Sequence, residues 1–216
     1  MVRNIAFLNR EEAGQELASI LAKYSSEKPV VLGMPRGGVV LAAIIADKLH
    51  APLDVIVARK IGAPSQPEYA IGAIAPGDVS IFNPEARIYF DFDSNEVREV
   101  IEREKIEMER RIKLYRGNKA ELDLKDRVVI IVDDGLATGQ TALAAVRSIR
   151  KLNPRKIILA VGVSSIEAAQ MLGQEVDALV ALRTPAEFHA VGLWYKEFPQ
   201  TTDAEVTKLL KQNVNE

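Results

Sequence analysis

Residues 128–142, VVIIVDDGLATGQTA, pass from an unbroken aliphatic run into two aspartates and then into a loop of Gly, Ala, Thr and Gly. An aliphatic run without alternation reads as a strand buried on both faces, the mark of a parallel sheet covered by helices. Carboxylates are costly to bury, so Asp133 and Asp134 are expected where this strand reaches the carboxyl edge of the sheet. The loop then opens a helix, TALAAVRSIRKL (141–152). A helix start presents unpaired N–H groups and a positive dipole end, and Thr138 and Thr141 add hydroxyl donors. Together they make a cup suited to a phosphate monoester. The acids would repel that phosphate, but they suit a vicinal diol or a hydrated Mg²⁺. A ribose 5-phosphate offers both ends. An isolated Asp-Asp-Gly reads more simply as a helix N-cap beside a solvated turn; the full run favours the binding reading.

Working outward, the same alternation of strand and helix recurs. Asn9 with Glu12 predicts a capped first helix whose apolar stripe is Ala13, Leu17, Ile20, Leu21 and Tyr24. PVVLG (29–33), the turn MPRGG, the helix VVLAAIIADKL (39–49) and the strand LDVIVA (53–58) form a βαβ unit. After the acidic run come KIILAVGV, the short helix IEAAQML ended by Gly173, and VDALVAL. Five such strands predict an α/β fold with a doubly wound parallel β-sheet core. Residues 60–92 interrupt the rhythm with four prolines and the β-like pieces AIGAIA, VSIF and RIYF, read as a flexible loop or small antiparallel flap. Asp93 with Glu96 is expected to cap a long charged helix to about Tyr115, with Val97, Ile101, Met108, Ile112 and Tyr115 as its stripe. An aromatic-rich segment and a helix capped by Thr202 and Glu205 close the chain as a C-terminal hood, about 183–216.

Composition bounds the function. With 216 residues, one domain spanning 1–216 is expected. A net charge of −2 gives no field for gathering nucleic acid. The absence of cysteine excludes disulfides and thiolate chemistry, and His50 and His189 alone make a poor metal site; His189 reads as a surface residue. No apolar stretch reaches the length of a membrane span, and the first residues turn polar too soon for a secretory signal, so a cytoplasmic location is expected.

In an open parallel sheet, ligands collect outside the carboxyl ends of the strands. There lie MPRGG, Arg59-Lys60, DDGLATGQT and RTPAEFHAVGLWYKEF. No GxxxxGK[ST] is present, and GMPRGG is a poor dinucleotide fingerprint. The run VVIIVDDGLATGQT resembles the PRPP-binding motif of the type I phosphoribosyltransferases, and VLGMPRGG and ARK stand where that family has its pyrophosphate loop and a basic pyrophosphate contact. Within the family the chain is most similar to an uncharacterised group sharing PRGG, ARKIG, AIGA and AVG..Y..F.Q.

The resemblance implies that Asp133 and Asp134 bind the ribose hydroxyls, directly or through Mg²⁺. Gly135, Ala137, Thr138, Gly139, Gln140 and Thr141 would surround the 5-phosphate. Pro35, Arg36, Gly37 and Gly38 would meet the pyrophosphate, with Arg59 or Lys60 adding charge. It also implies catalysis by positioning and charge, through Asp133, Asp134, Arg36 and Lys60. A nitrogen acceptor, most simply a purine nucleobase, would attack the anomeric carbon, and a homodimer is expected. Ala137 replaces the aspartate that hypoxanthine and guanine enzymes place there, so the base is not carried over. Gly135 stands where bulky aliphatics are common. The acceptor side falls to the hood, with Phe188 and Trp194 as stacking candidates, Phe188 equally suited to anchoring and Trp194 better suited to it. IGAPSQPEYAIGA resembles the family's closing loop, with Glu68 either facing the site or pairing with an arginine. A PRPP sensor, or a transferase with a non-nucleobase acceptor, is the alternative.

Overall fold

The computed structural model describes residues 5–117, 119 and 123–213. Its strands are β1 (Val30–Gly33), β2 (Leu53–Val55), β3 (Arg59–Ala63), β4 (Gln66–Ala75), β5 (Val79–Phe82), β6 (Val128–Leu136), β7 (Lys156–Ser164) and β8 (Ala178–Arg183). Its helices are α1 (Arg10–Leu21), α2 (Gly38–Leu49), α3 (Asn95–Arg116), α4 (Gln140–Arg150), α5 (Ile166–Gly173) and α6 (Asp203–Gln212).

Five strands make one parallel sheet in the order β2-β1-β6-β7-β8, as expected. The aliphatic run of β6 explains its central place. Val128, Ile130 and Val132 enter a core shared with α1, α2, α3 and α6, while Val129 and Ile131 enter a second core shared with α4 and α5. Period-two alternation sends apolar side chains to both faces, each buried one contributing about 1.5–3 kcal/mol. The chain winds outward from β1 to β2 and returns to β6, β7 and β8 on the other side. The switch point therefore lies between the carboxyl ends of β1 and β6.

Most of the excursion expected at 60–92 is a separate antiparallel sheet, β3-β4-β5, which ends at Phe82 and feeds one core through Ile61, Ile71 and Ile74 and the other through Ala73, Val79 and Ile81. Several expectations need correction. The second strand stops at Val55, and Arg59 already belongs to the small sheet. RIYF is no strand: a 3-10 turn over Pro84–Ile88 covers its start, with proline at the turn's opening and the Asn83 side chain capping Glu85 N–H. Ser94, not Asp93, caps α3 by accepting from Val97 N–H, which places Asp93 outside the helix. Ile20, assigned to the buried stripe of α1, is 42% exposed. The caps at Asn9 and at Thr202–Glu205 are as expected, the latter a complete capping box.

Candidate functional site

The acid pair sits at the switch point, but not on a loop. Strand β6 continues through Asp133 and Asp134 to Leu136, because β7 extends far enough to pair with Asp133 and Gly135 through Val161 and Val163. The carboxylates are therefore held on regular backbone beneath the PRGG turn. A Cβ added to Gly37 would lie 2.0 Å from Asp134 Oδ2, and one added to Gly38 would lie 3.0 Å from Asp133 Oδ1 and 2.5 Å from the Val132 carbonyl oxygen. Two glycines are needed here so that the turn can close over both acids. The Pro35–Arg36 peptide of this turn is cis.

The two acids differ in their surroundings. Asp133 Oδ1 accepts from the backbone N–H of Asp134 at 2.8 Å. Burial, and then the neighbouring Asp134 carboxylate, push Asp133 well above the usual carboxylate range. Asp134 Oδ2 accepts from Arg10 Nε at 2.8 Å, and its carbonyl oxygen accepts from the Tyr195 hydroxyl at 2.6 Å. Burial, then the two aspartates, raise Tyr195 as well, so this hydroxyl stays a donor.

Beyond the acids, Ala137 and Thr138 are exposed and Gly139 turns with φ of 73° into α4. A left-handed residue is tolerated there because it is glycine. Ser165 Oγ donates to the Ala137 carbonyl oxygen at 2.7 Å, and Ser165 N–H donates to Leu136 O at 2.9 Å, so the start of α5 braces the loop from behind. Helix α4 has no side-chain cap, and its first intrahelical acceptor bond is Leu143 N–H to Gly139 O. The first-turn amides of Gln140, Thr141 and Ala142 precede that bond and have no side-chain cap, the condition for an anion cup.

Each of the expected basic pyrophosphate contacts faces an acidic side chain. Arg36 is half-buried, and its Nη1 lies 3.8 Å from Asp203 Oδ1 at the start of α6. Arg59 donates through Nε and Nη2 to Glu104 Oε2 on α3 at 2.9 and 2.6 Å. Lys60 Nζ lies 3.3 Å from Glu68 Oε2 across the β3–β4 hairpin. Glu68, left open between the site and an arginine, thus pairs with a lysine.

In the hood, Phe188 and Trp194 are half-buried and pack against the core. The Trp194 indole N–H is buried without a hydrogen-bond partner, while its carbonyl oxygen accepts from Ala6 and Phe7 N–H. His189 is exposed. A Cβ on Gly135 would meet Val191 Cγ1 at 2.6 Å: the 3-10 turn Val191–Trp194 lies directly on the end of β6, which is why no bulky residue fits there.

Arg10 is the residue that sequence reasoning missed. Only 8% exposed, it pairs with Asp134, donates through Nη1 to Pro199 O at 2.7 Å and stacks 3.7 Å over the Phe198 ring. A signal existed, since a cation in the first turn of a helix opposes the macrodipole and calls for an anion nearby. Among the described residues, no group of three or more His, Cys, Asp or Glu is placed to hold a metal ion. No described helix is long and apolar enough to cross a membrane.

Comparison with known proteins agrees with this arrangement. Residues 5–178 match the family model described as a phosphoribosyl transferase domain. Two Mycobacterium tuberculosis proteins, named "Putative phosphoribosyl transferase MT0597" and "Putative phosphoribosyl transferase Rv0571c", are 41% identical over 204 residues, covering 94% of this chain. The match covers 46% of each relative, so the chain spans about half the length of the curated relatives it matches. The crystal structure of TT1426 from Thermus thermophilus superposes with a TM-score of 0.79 at 38% identity, covering 97% of this chain and 99% of that one. AQ2163 from Aquifex aeolicus shares the fold with a TM-score of 0.51 at 13% identity, covering 88% of this chain and 83% of that one. With the motif on β6, the PRGG turn over it and a family match across most of its length, the chain belongs to the phosphoribosyl transferase domain family.

Proposed function

We propose that this protein transfers the 5-phosphoribosyl group of PRPP to a nitrogen acceptor, a nucleobase of the purine salvage type, with Mg²⁺ bound alongside. The bond from the anomeric carbon to pyrophosphate breaks, a bond to the acceptor nitrogen forms, the pyrophosphate carries away the electron pair, and the proton displaced from the acceptor nitrogen passes to solvent. The observation that supports this most directly is the juxtaposition of the acid pair, the Gly37-Gly38 turn and the open first turn of α4 at one switch point.

In this reading Asp133 and Asp134 take the ribose hydroxyls, and the cup of Ala137, Thr138, Gly139, Gln140 and Thr141 takes the 5-phosphate. Arg36 and the Gly37–Gly38 amides hold the pyrophosphate, their attraction growing as charge develops on it. Lys60 or Arg59 reaches the same group only after leaving its present partner. Two carboxylates fit Mg²⁺, which is commonly held by one or two carboxylates, substrate phosphates and water. When bound, the ion offsets charge on the diphosphate. Phe188 and Trp194 form the acceptor side of the hood, and the Trp194 indole N–H offers a donor.

The test is pyrophosphate release from Mg·PRPP with adenine, guanine, hypoxanthine, xanthine, uracil or orotate, beside a control without acceptor and the Asp133→Asn/Asp134→Asn variant. Release with one base, abolished in the variant and by a chelator, is expected. Intact PRPP binding with no release across the panel would favour a sensor or a different acceptor. Calorimetric PRPP affinity unchanged in a folded double variant would overturn the site.

A further inference from the structure

We propose that Arg10 is a positioning residue that ties the C-terminal hood to Asp134, so that PRPP bound at the acid pair is sensed by the hood; this rests on the PRPP reading above. Asp134 is gripped twice from the hood side. Its carboxylate is held by Arg10, whose guanidinium is itself fixed by the Pro199 carbonyl and the face of Phe198. Its backbone carbonyl is held by Tyr195, whose ring stacks 5.0 Å from Phe198 and lies 5.3 Å from Phe7. The strand makes room for this grip: a Cβ on Gly162 of β7 would fall 2.1 Å from the Tyr195 hydroxyl oxygen. Residues 195–199 and the acid therefore form one packed unit, although α1, β6 and the hood are far apart in sequence.

The arrangement has two consequences for a ligand. Arg10 offsets one of two adjacent negative charges beside a site meant for phosphates, and it holds one Asp134 oxygen in place. Any turn of the Asp134 carboxylate toward a diol or a cation pulls Arg10 against Pro199 and Phe198, and so moves the hood. Trp194, the chain's single tryptophan, precedes Tyr195 and reports on that movement.

The experiment uses the whole chain with Arg10→Gln, Arg10→Lys and Tyr195→Phe, each checked for folding by circular dichroism. Calorimetry with Mg·PRPP is combined with Trp194 emission. The wild-type protein is expected to bind with a change in emission. Arg10→Gln is expected to weaken binding by about tenfold or more, as for loss of one member of a buried charged pair. It should also lose the emission response at saturation, while Arg10→Lys, which keeps the charge, recovers part of both. If Arg10→Gln does not fold, Tyr195→Phe, which removes only the hydroxyl bond, decides the matter through a reduced emission response. Wild-type binding with variants unchanged within about twofold, or binding without any Trp194 response, overturns the role of Arg10 while leaving the PRPP site standing. Failure of the wild-type protein to bind Mg·PRPP overturns the functional reading. Acrylamide quenching of Trp194 without ligand then tests the tether alone, and equal quenching in wild-type protein and Arg10→Gln counts against it.

Discussion

At Gly37 the site tolerates no side chain, because the Asp134 carboxylate already occupies the position of a Cβ, 2.0 Å away. In Gly37→Ala the carboxylate must rotate, and its bond from Arg10 stretches or breaks. Arg10 is almost fully buried, so it does not regain water in exchange. A loss of about 1–3 kcal/mol in stability is expected from overpacking and a weakened buried bond. Urea denaturation measures it, and PRPP affinity should fall in the same variant. Gly173→Ala is the control, since nothing lies within 4 Å of a Cβ there and the residue ends α5. That change should be neutral or slightly stabilising. Equal behaviour of the two variants would mean that the close approach at Gly37 has no energetic weight.

Helix α6 shows how an element is fixed from its first residue. Thr202 and Glu205 cap it, and Asp203, beside the cap, accepts from the Tyr115 hydroxyl of α3 at 2.6 Å and lies 3.5 Å from Arg110 and 3.8 Å from Arg36. The Tyr115 bond, aided by the arginines, holds Asp203 below the ordinary carboxylate value of 3.8. A lowered folded-state value means stability that is present above 3.8 and lost as pH falls through the lower value. Asp203→Asn should therefore destabilise the protein at pH 7 by about 1–2 kcal/mol, the weak contact from the half-exposed Arg110 adding little. That difference should shrink toward zero as pH falls below 3.8, and denaturant titrations at both pH values measure it. The capping box was legible in the sequence because its residues are three apart; the Tyr115–Asp203 bond was not, because 88 positions separate its partners. Ser94 was missed for a different reason: a serine beside Asp93 offers an equally good cap, and local geometry decided between them.

For the whole molecule, aliphatic runs and glycine-marked turns were enough to read a doubly wound parallel sheet and to place the acid pair at its carboxyl edge; the switch point itself follows from the strand order. The grip of α1 and the hood on Asp134 was not legible, since it depends on three segments meeting in space. The small sheet has a similar status: its strands were readable as pieces, but not its contribution to both cores. That shared packing predicts that 1–216 unfolds as one unit, because neither core is complete without β3, β4 and β5. Far-UV circular dichroism and Trp194 emission should then report a single common midpoint. PRPP would touch the turn before α2, the end of β6 and the start of α4, so its binding should raise both signals together. At a free concentration about 100 times Kd, linkage supplies about 2.7 kcal/mol. For a chain of this size that corresponds to a rise in midpoint of about 5–10 °C. A chelator, or the double Asn variant, should abolish the rise. Two separate transitions, or a ligand shift seen by only one probe, would show that the small sheet or the hood unfolds apart from the parallel sheet.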